Sequence, residues 1–464
     1  MNATLASPPL PLSTPRSRLA GALADRDLQD GLFAALIVSA RIPASLGMMG
    51  GLVFLLLTVV YAAIRLEQSR DALWRCRWHL TFPALALAST VWAVYPDLTL
   101  RAAVQMTLTA CAGLLLSQAA RPRAMLAGLY VAYAGYTVAS LLAGNTHPDG
   151  NGGALALYGL GGEAKNYFAD TAGTAVLLAL TLVAHGVERR AIAPVALAAG
   201  IAAICALASV RAHSAGAVAA LALAGALLVV LLVLRGRARG LKLVFAGGLV
   251  GALLLGALFF PALLALVQDL SAKDAGLTGR GYLWYRAEFI IAQRPWLGLG
   301  YYGFWNPANA DAIGLWRYFD VRQESTGFSF HNSYIQTMVE TGYLGVAVMV
   351  GGWIAGVLAL LRRFVLTRSL ATCFWLSYLA LQLSKSPVEP IRPAALVAPT
   401  IMLFAALGFG CFPVRPESRI RSPGQAGAAA SRRSSSRSMA SSDTPRLSAM
   451  VSAATRLIAP APST

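Results

Sequence analysis

Charge is scarce in this chain: 12% of its 464 residues are Asp, Glu, Lys or Arg, against roughly 25% in average soluble domains. That shortage argues against a water-soluble globular protein. With 57% hydrophobic residues and a mean hydropathy of +0.61, the chain is also too apolar to stay disordered. The five cysteines, Cys76, Cys111, Cys205, Cys373 and Cys411, show neither paired nor metal-ligand spacing, so no disulfide framework or zinc site is implied. Acidic residues are fewer than basic ones, 20 against 38, giving a net charge of +18. In a soluble protein that excess would suggest nucleic acid; in a membrane protein it reflects basic cytoplasmic loops. No short cleavable signal precedes the first apolar run, and the polar residues 1–30 read as a cytoplasmic N-terminal tail.

What is present is a series of apolar runs long enough to cross a bilayer. They lie near 31–44, 46–65, 78–95, 102–119, 124–144, 169–186, 191–208, 214–234, 243–267, 331–361, 369–384 and 394–412. The first is interrupted by Arg41 and Pro43, so the count is about 12 transmembrane helices, with 11 as the alternative. A backbone in hydrocarbon must satisfy its own hydrogen bonds, so the expected class is an all-α polytopic membrane protein. Arginine clusters at 65–77, 121–123, 189–190, 235–242 and 362–368 fall on alternate connections, which places both termini in the cytoplasm. Nine spans fall within 31–267 and three within 331–413. Residues 414–464, rich in Ser, Ala, Arg and Pro, read as a disordered basic cytoplasmic tail.

Residues 268–330 form one long external loop, with six basic and six acidic residues. The window 282–334 holds 15 of the chain's 41 aromatic residues, too many for a disordered linker. Within it, Leu283, Trp284, Ala287, Ile290 and Ile291 share one helical face, with Thr278 as the N-cap and Arg294-Pro295 as the stop. This spacing predicts an amphipathic helix on the outer membrane surface. Arg280 at its first turn suits an anion, in a substrate or in lipid phosphates. Gly298, Gly300 and Gly303 match G-x-G-x-x-G, but with no preceding strand they shape a turn rather than a dinucleotide site. Phe330-His331-Asn332-Ser333-Tyr334 then opens the tenth span. His331 at that mouth reads either as a general base or as an interfacial imidazole bonded to a loop carbonyl. Glu340 points away from His331 and is expected to bond within the bundle. His147, His213 and His331 lack helical ligand partners, so no metal is expected.

The spans are almost free of charge at their centres, unlike those of transporters, while polar and aromatic residues gather outside. Chemistry on a substrate presented at the outer face follows, with arginines for an anionic group and aromatics for sugar faces.

Thr278-Gly279-Arg280 with Trp284, Arg294-Pro295 with Gly298 and Gly300, and His331-Asn332 with Tyr334, followed by Glu340, Gly342 and Gly345, resemble the O-antigen ligase and exopolysaccharide polymerase (Wzy-C) superfamily. The Arg294–Tyr301 phrase is most similar to the exopolysaccharide-polymerase branch. Weaker echoes are Ser89–Trp92, Gly162–Asn166 and Ser209-Val210-Arg211, where the family has Ser-Arg. The resemblance implies a multi-pass inner-membrane glycosyltransferase that polymerises undecaprenyl-diphosphate-linked repeat units at the periplasmic face. It implies no metal and no cofactor; attack opposite the leaving group would invert the anomeric centre. It places His331 as the base, with Arg280 and Arg211 neutralising the diphosphate. Trp284, Asn332, Tyr334, Trp305, Lys165 and Asn166 are then expected to line the substrate. The implied partners are the undecaprenyl-diphosphate-linked glycan donor, a glycan or lipid A core acceptor, the membrane and polysaccharide-synthesis machinery, with no nucleic acid. Two alternatives stand beside it: a ligase that moves the finished glycan to lipid A core or protein, and a flippase or exporter of lipid-linked sugars.

Overall fold

The computed structural model describes residues 25–119, 122–148, 154–259, 279–321 and 328–413. Thr278, Arg121 and the tail at 414–464 lie outside them. Apart from one two-stranded antiparallel pair, Thr146–Pro148 with Leu155–Leu157, the regular structure among the described residues is helical. Among the described residues, eight helices are long and apolar enough to span a membrane. Those used below are α1 (Arg26–Ser39), α2 (Gly47–Ile64), α3 (Pro96–Leu116), α4 (Lys165–Glu188), α5 (Ile192–Arg211), α6 (Arg280–Gln293), α7 (Ala310–Tyr318), α8 (Ser333–Leu366), α9 (Leu370–Leu383) and α10 (Ala398–Phe409). The protein is a membrane protein built from transmembrane helices.

α1 starts at Arg26, earlier than hydropathy places it, because its polar first turns are satisfied. Asp25 caps the helix, and buried Asp30 pairs with Arg65 at 2.8 Å and accepts from the Tyr61 hydroxyl at 2.8 Å. A buried charge is tolerated when paired and hydrogen-bonded in this way.

α8 departs most from the sequence reading. Its 34 residues are not one rod, because Gly342 sits at φ 66°, ψ −169°, far from helical geometry. Residues 333–341 fold back along residues 343–366. The Thr337 hydroxyl donates to the Met349 sulfur at 3.5 Å, and the Tyr334 and Trp353 rings stand 6.3 Å apart. In a continuous helix those two rings, 19 residues apart, would be separated by about 28 Å. The long arm supplies the membrane-spanning length, and the short arm carries His331 back into the bundle.

α9 and α10, with 14 and 12 residues, are short for a span. The connection between them, 384–397, consequently lies inside the bundle: Leu396 N–H donates to the Thr109 hydroxyl, 13 residues into α3. Lys385 in this connection pairs with Asp170 of α4, and Arg392 pairs with Glu340 of α8 at 2.9 Å. The spans are therefore not bare of charge, and α8 is broken, as helices in transporters often are. Bare spans do not separate an enzyme from an exporter here; the groups of the site must.

The described residues of 280–321 and 328–330 form a small helical unit with its own core, where Leu283, Ala287, Ile290 and Ile291 of α6 pack with Phe304, Leu315, Trp316 and Phe330. The apolar stripe of α6 thus faces protein rather than the membrane surface. Gly279, at φ 87°, occupies the N-cap position of the helix.

Candidate functional site

The loop between α6 and α7 fits into the α8 turn. Gly298 and Gly300, at φ 65° and 100°, bring their backbone against the hairpin: Leu299 N–H donates to Val339 O and Gly300 N–H to Glu340 O, at 3.0 and 2.9 Å. The glycine pattern is thus a packing turn, as expected.

At the inner end of the short arm the chain turns sharply. His331 adopts φ 49°, and its N–H donates to the Ser329 hydroxyl at 3.2 Å. Asn332 then caps α8, its side-chain oxygen accepting from Tyr334 N and Ile335 N at 2.9 and 3.1 Å. Ser333 ties the arm to the α9–α10 connection: its N–H donates to Ser386 O, its hydroxyl to Glu389 O, and Ile391 N–H donates to that hydroxyl.

Glu389 is the residue on which the site converges. Its Oε1 accepts from Arg280 Nη2 at 3.0 Å and from Asn166 Nδ2 at 3.3 Å, while Oε2 lies 3.7 Å from His331 Nδ1. Arg280 Nη1 also donates to Val388 O at 2.7 Å. One carboxylate thus joins α4, α6 and the head of α8. The side chains remain reachable, 19% exposed for Arg280, 24% for Glu389 and 31% for His331. Burial alone would push the Glu389 carboxyl up, but the facing His331 imidazole and the Arg280 guanidinium outweigh it and hold it below the usual value of 4.5. A depressed carboxyl contributes stability above its unfolded value and loses it as pH falls through the folded one. Glu389→Gln is therefore expected to melt at a lower temperature than the unsubstituted chain near neutral pH. The gap should close below about pH 4; a gap of constant size in melts down to that pH would contradict the assignment.

Of the other sequence candidates, the structure gathers Asn166 here and gives the aromatics supporting positions. Trp284 Nε1 donates to Phe330 O at 2.8 Å, holding the strand that leads into His331. Trp305 Nε1 donates to Gln336 Oε1 at 3.1 Å inside a box of Phe304, Phe328 and Phe330. The Tyr334 hydroxyl bonds to Ser386 at 3.0 Å. These contacts anchor the walls of the site. Lys165 opens α4, one residue before Asn166. Arg211 ends α5 and is exposed, without a hydrogen bond or ion pair among the described residues. Ser209 donates to Ala169 O at 3.2 Å, which sets the end of α5 beside the start of α4. Glu340 keeps to the bundle as expected, accepting from Gln336 and Arg392 at 2.8 and 2.9 Å.

Sequence reasoning missed Glu389, Lys385 and Arg392. Three ionisable residues in a connection pinned by Pro387, Pro390 and Pro393, between two short apolar runs, were the available signal. Among the described residues no group of three or more His, Cys, Asp or Glu side chains gathers to hold a metal.

Residues 200–350, which contain Arg211, Arg280, His331 and the α8 turn, match the family model described as O-antigen ligase (Wzy_C). A 109-residue stretch is 30% identical to the exopolysaccharide production protein ExoQ of Rhizobium meliloti (strain 1021), covering 24% of this chain and 25% of that protein. The chain thus matches about a quarter of the length of this curated relative. Both matches support a likeness to the O-antigen ligase and exopolysaccharide polymerase superfamily.

Proposed function

We propose that this protein is a polysaccharide polymerase that transfers an undecaprenyl-diphosphate-linked glycan to a sugar hydroxyl at the periplasmic face of the inner membrane. The observation that carries this reading is the meeting of Arg280, His331 and Glu389 in one reachable cluster. As the bond between the anomeric carbon and the phosphate oxygen breaks, its electron pair passes to the diphosphate. A fixed guanidinium stabilises that growing charge more than it stabilises the bound donor. Arg280 supplies it directly, and Arg211, exposed beside the start of α4, supplies a second cation. The acceptor hydroxyl gives its proton to the imidazole of His331 as its oxygen bonds to the anomeric carbon, with inversion. With Nδ1 turned toward Glu389, Nε2 is left for that hydroxyl. Undecaprenyl diphosphate leaves.

The cluster supports this reading over an exporter, since passage across a membrane requires no base beside the diphosphate. A ligase delivering the glycan to lipid A core or protein would use the same donor chemistry. The likeness to an exopolysaccharide production protein supports the polymerase. Purified protein given lipid-linked donor and acceptor should release undecaprenyl diphosphate, and Arg280→Ala should slow that release by about 100- to 1,000-fold. Unimpaired release by this variant would defeat the proposal. In a strain without the enzyme, single repeat units should accumulate; long chains stranded on the carrier would indicate the ligase instead.

A further inference from the structure

Glu389 has more claims on it than it can satisfy together. Arg280 and Asn166 both bond Oε1, at 3.0 and 3.3 Å, and draw the carboxylate to their side. Oε2 is left 3.7 Å from His331 Nδ1, beyond hydrogen-bond length, and this buried imidazole nitrogen has no hydrogen-bond partner. A buried donor or acceptor left unmade is unfavourable by itself. A shift of a few tenths of an ångström in Oε2 would satisfy it, and the bonds from Arg280 and Asn166 to Oε1 oppose that shift. Arg280 is at the same time engaged by an internal carboxylate and by Val388 O, so an incoming anion meets an occupied guanidinium.

We infer that Glu389 is an exchange residue: with no donor bound it holds Arg280 in place of the diphosphate, and on donor binding it is released to close on His331 Nδ1. The inference rests on the diphosphate chemistry proposed above and adds an order of events to it. A diphosphate, with its greater charge and two bridging positions, outcompetes one carboxylate for the planar fork of Arg280. The freed carboxylate then accepts a hydrogen bond from Nδ1–H, which keeps that proton on Nδ1, leaves Nε2 bare, and stabilises the imidazolium that forms as Nε2 takes the hydroxyl proton. His331 becomes an oriented base only when a donor is present. Glu389 acts through the imidazole and is a positioning residue.

The test uses the full-length protein in detergent micelles, with geranyl diphosphate as the probe. Removing the internal competitor should tighten binding, so Glu389→Gln is expected to bind the probe about tenfold more strongly, while its turnover with lipid-linked donor falls at least about tenfold. A purely structural role for Glu389 would move both in the same direction. In a histidine-labelled sample, with His331 assigned through His331→Gln, the probe should shift the Nδ1 resonance of the unsubstituted protein and shift it less in Glu389→Gln. Should Glu389→Gln fail to accumulate, Glu389→Asp withdraws the carboxylate from Arg280 by one methylene and should give the same tightening at smaller size. Arg280-dependent binding that neither variant tightens would overturn the exchange and leave the transferase reading intact. Absence of probe binding, or binding indifferent to Arg280→Ala, would overturn both.

Discussion

Replacing His331 with alanine is expected to lower the rate of polyprenyl diphosphate release by about 100- to 10,000-fold, the range associated with losing a positioned general base. The expectation starts at the backbone. A histidine at φ 49° is uncommon, since only a few per cent of non-glycine residues sit there. Here the conformation is held by the Ser329 hydroxyl on one side and by the Asn332 cap on the other. It aims the ring at Glu389, with the edge of Phe328 at 6.0 Å restricting its rotation. A side chain nearly one-third exposed contributes little packing, so His331→Ala should accumulate and melt as the unsubstituted chain does. Alanine at a positive φ adds a small strain that His331→Asn avoids, asparagine being better suited to that region. Both variants should bind geranyl diphosphate near normally, because Arg280 remains, and both should lose turnover. Steady-state release measured beside probe binding separates the two effects. Normal turnover in either variant, at normal protein levels, would remove the base from the scheme.

How much of this was legible in the sequence follows from what the signals measure. Hydropathy counts apolar residues along the chain, so each of the eight helices long and apolar enough to span lies on a run that it marked, while the run at 78–95 holds only the short helix Thr81–Ala88 between two helical turns. It is blind to a fold-back, because a window over 331–361 averages the mixed short arm into the apolar long one, and one glycine between them looks like any other in a membrane helix. His331 was therefore placed at the mouth of a span, when it lies at the inner end of a hairpin arm. Helical periodicity identified the buried face of α6 from Leu283 to Ile291, but the covering surface is chosen by tertiary packing, here an aromatic core in place of lipid. Trp284 and Trp305 were expected to line the substrate by resemblance alone; their indole donors are held by Phe330 O and Gln336, which a sequence cannot show. Glu389 stayed hidden for a related reason. It stands 58 residues from the histidine that it faces and 109 from the arginine that it holds, and only the closure of the bundle brings them together. Arg280 and His331 themselves were recognisable, since each follows a local cue, a helix start and a helix mouth.

The α8 turn supports the second large effect. Gly342→Ala is expected to destabilise the protein by about 2–6 kcal/mol, from backbone strain of about 1–3 kcal/mol and overpacking of about 1–3 kcal/mol. At φ 66°, ψ −169° the backbone occupies a region that is essentially open to glycine alone. A Cβ there would also overlap the Trp296 carbonyl and the Leu297 nitrogen, the backbone against which the turn is pressed. Neither partner can retreat easily, because Tyr343 N–H donates to Pro295 O at 2.8 Å and Gly300 N–H to Glu340 O at 2.9 Å, stitching loop to hairpin on both sides. Opening the turn would draw Ser333 away from Ser386 and Glu389, and would pull Glu340 from Arg392, leaving a buried charge unpaired. Stability and catalysis should therefore fall together, unlike the separation expected for His331→Ala. Gly351→Ala is the matching control, in the same helix with open space where its Cβ would sit. A helix-interior glycine replaced by alanine gains roughly 0.5–1 kcal/mol, so this variant should melt slightly higher with unchanged turnover. Thermal melts of the two purified variants, set against their rates of diphosphate release, decide the matter. If Gly342→Ala melts and turns over like Gly351→Ala, residues 333–341 do not fold back on the span and His331 does not stand beside Glu389.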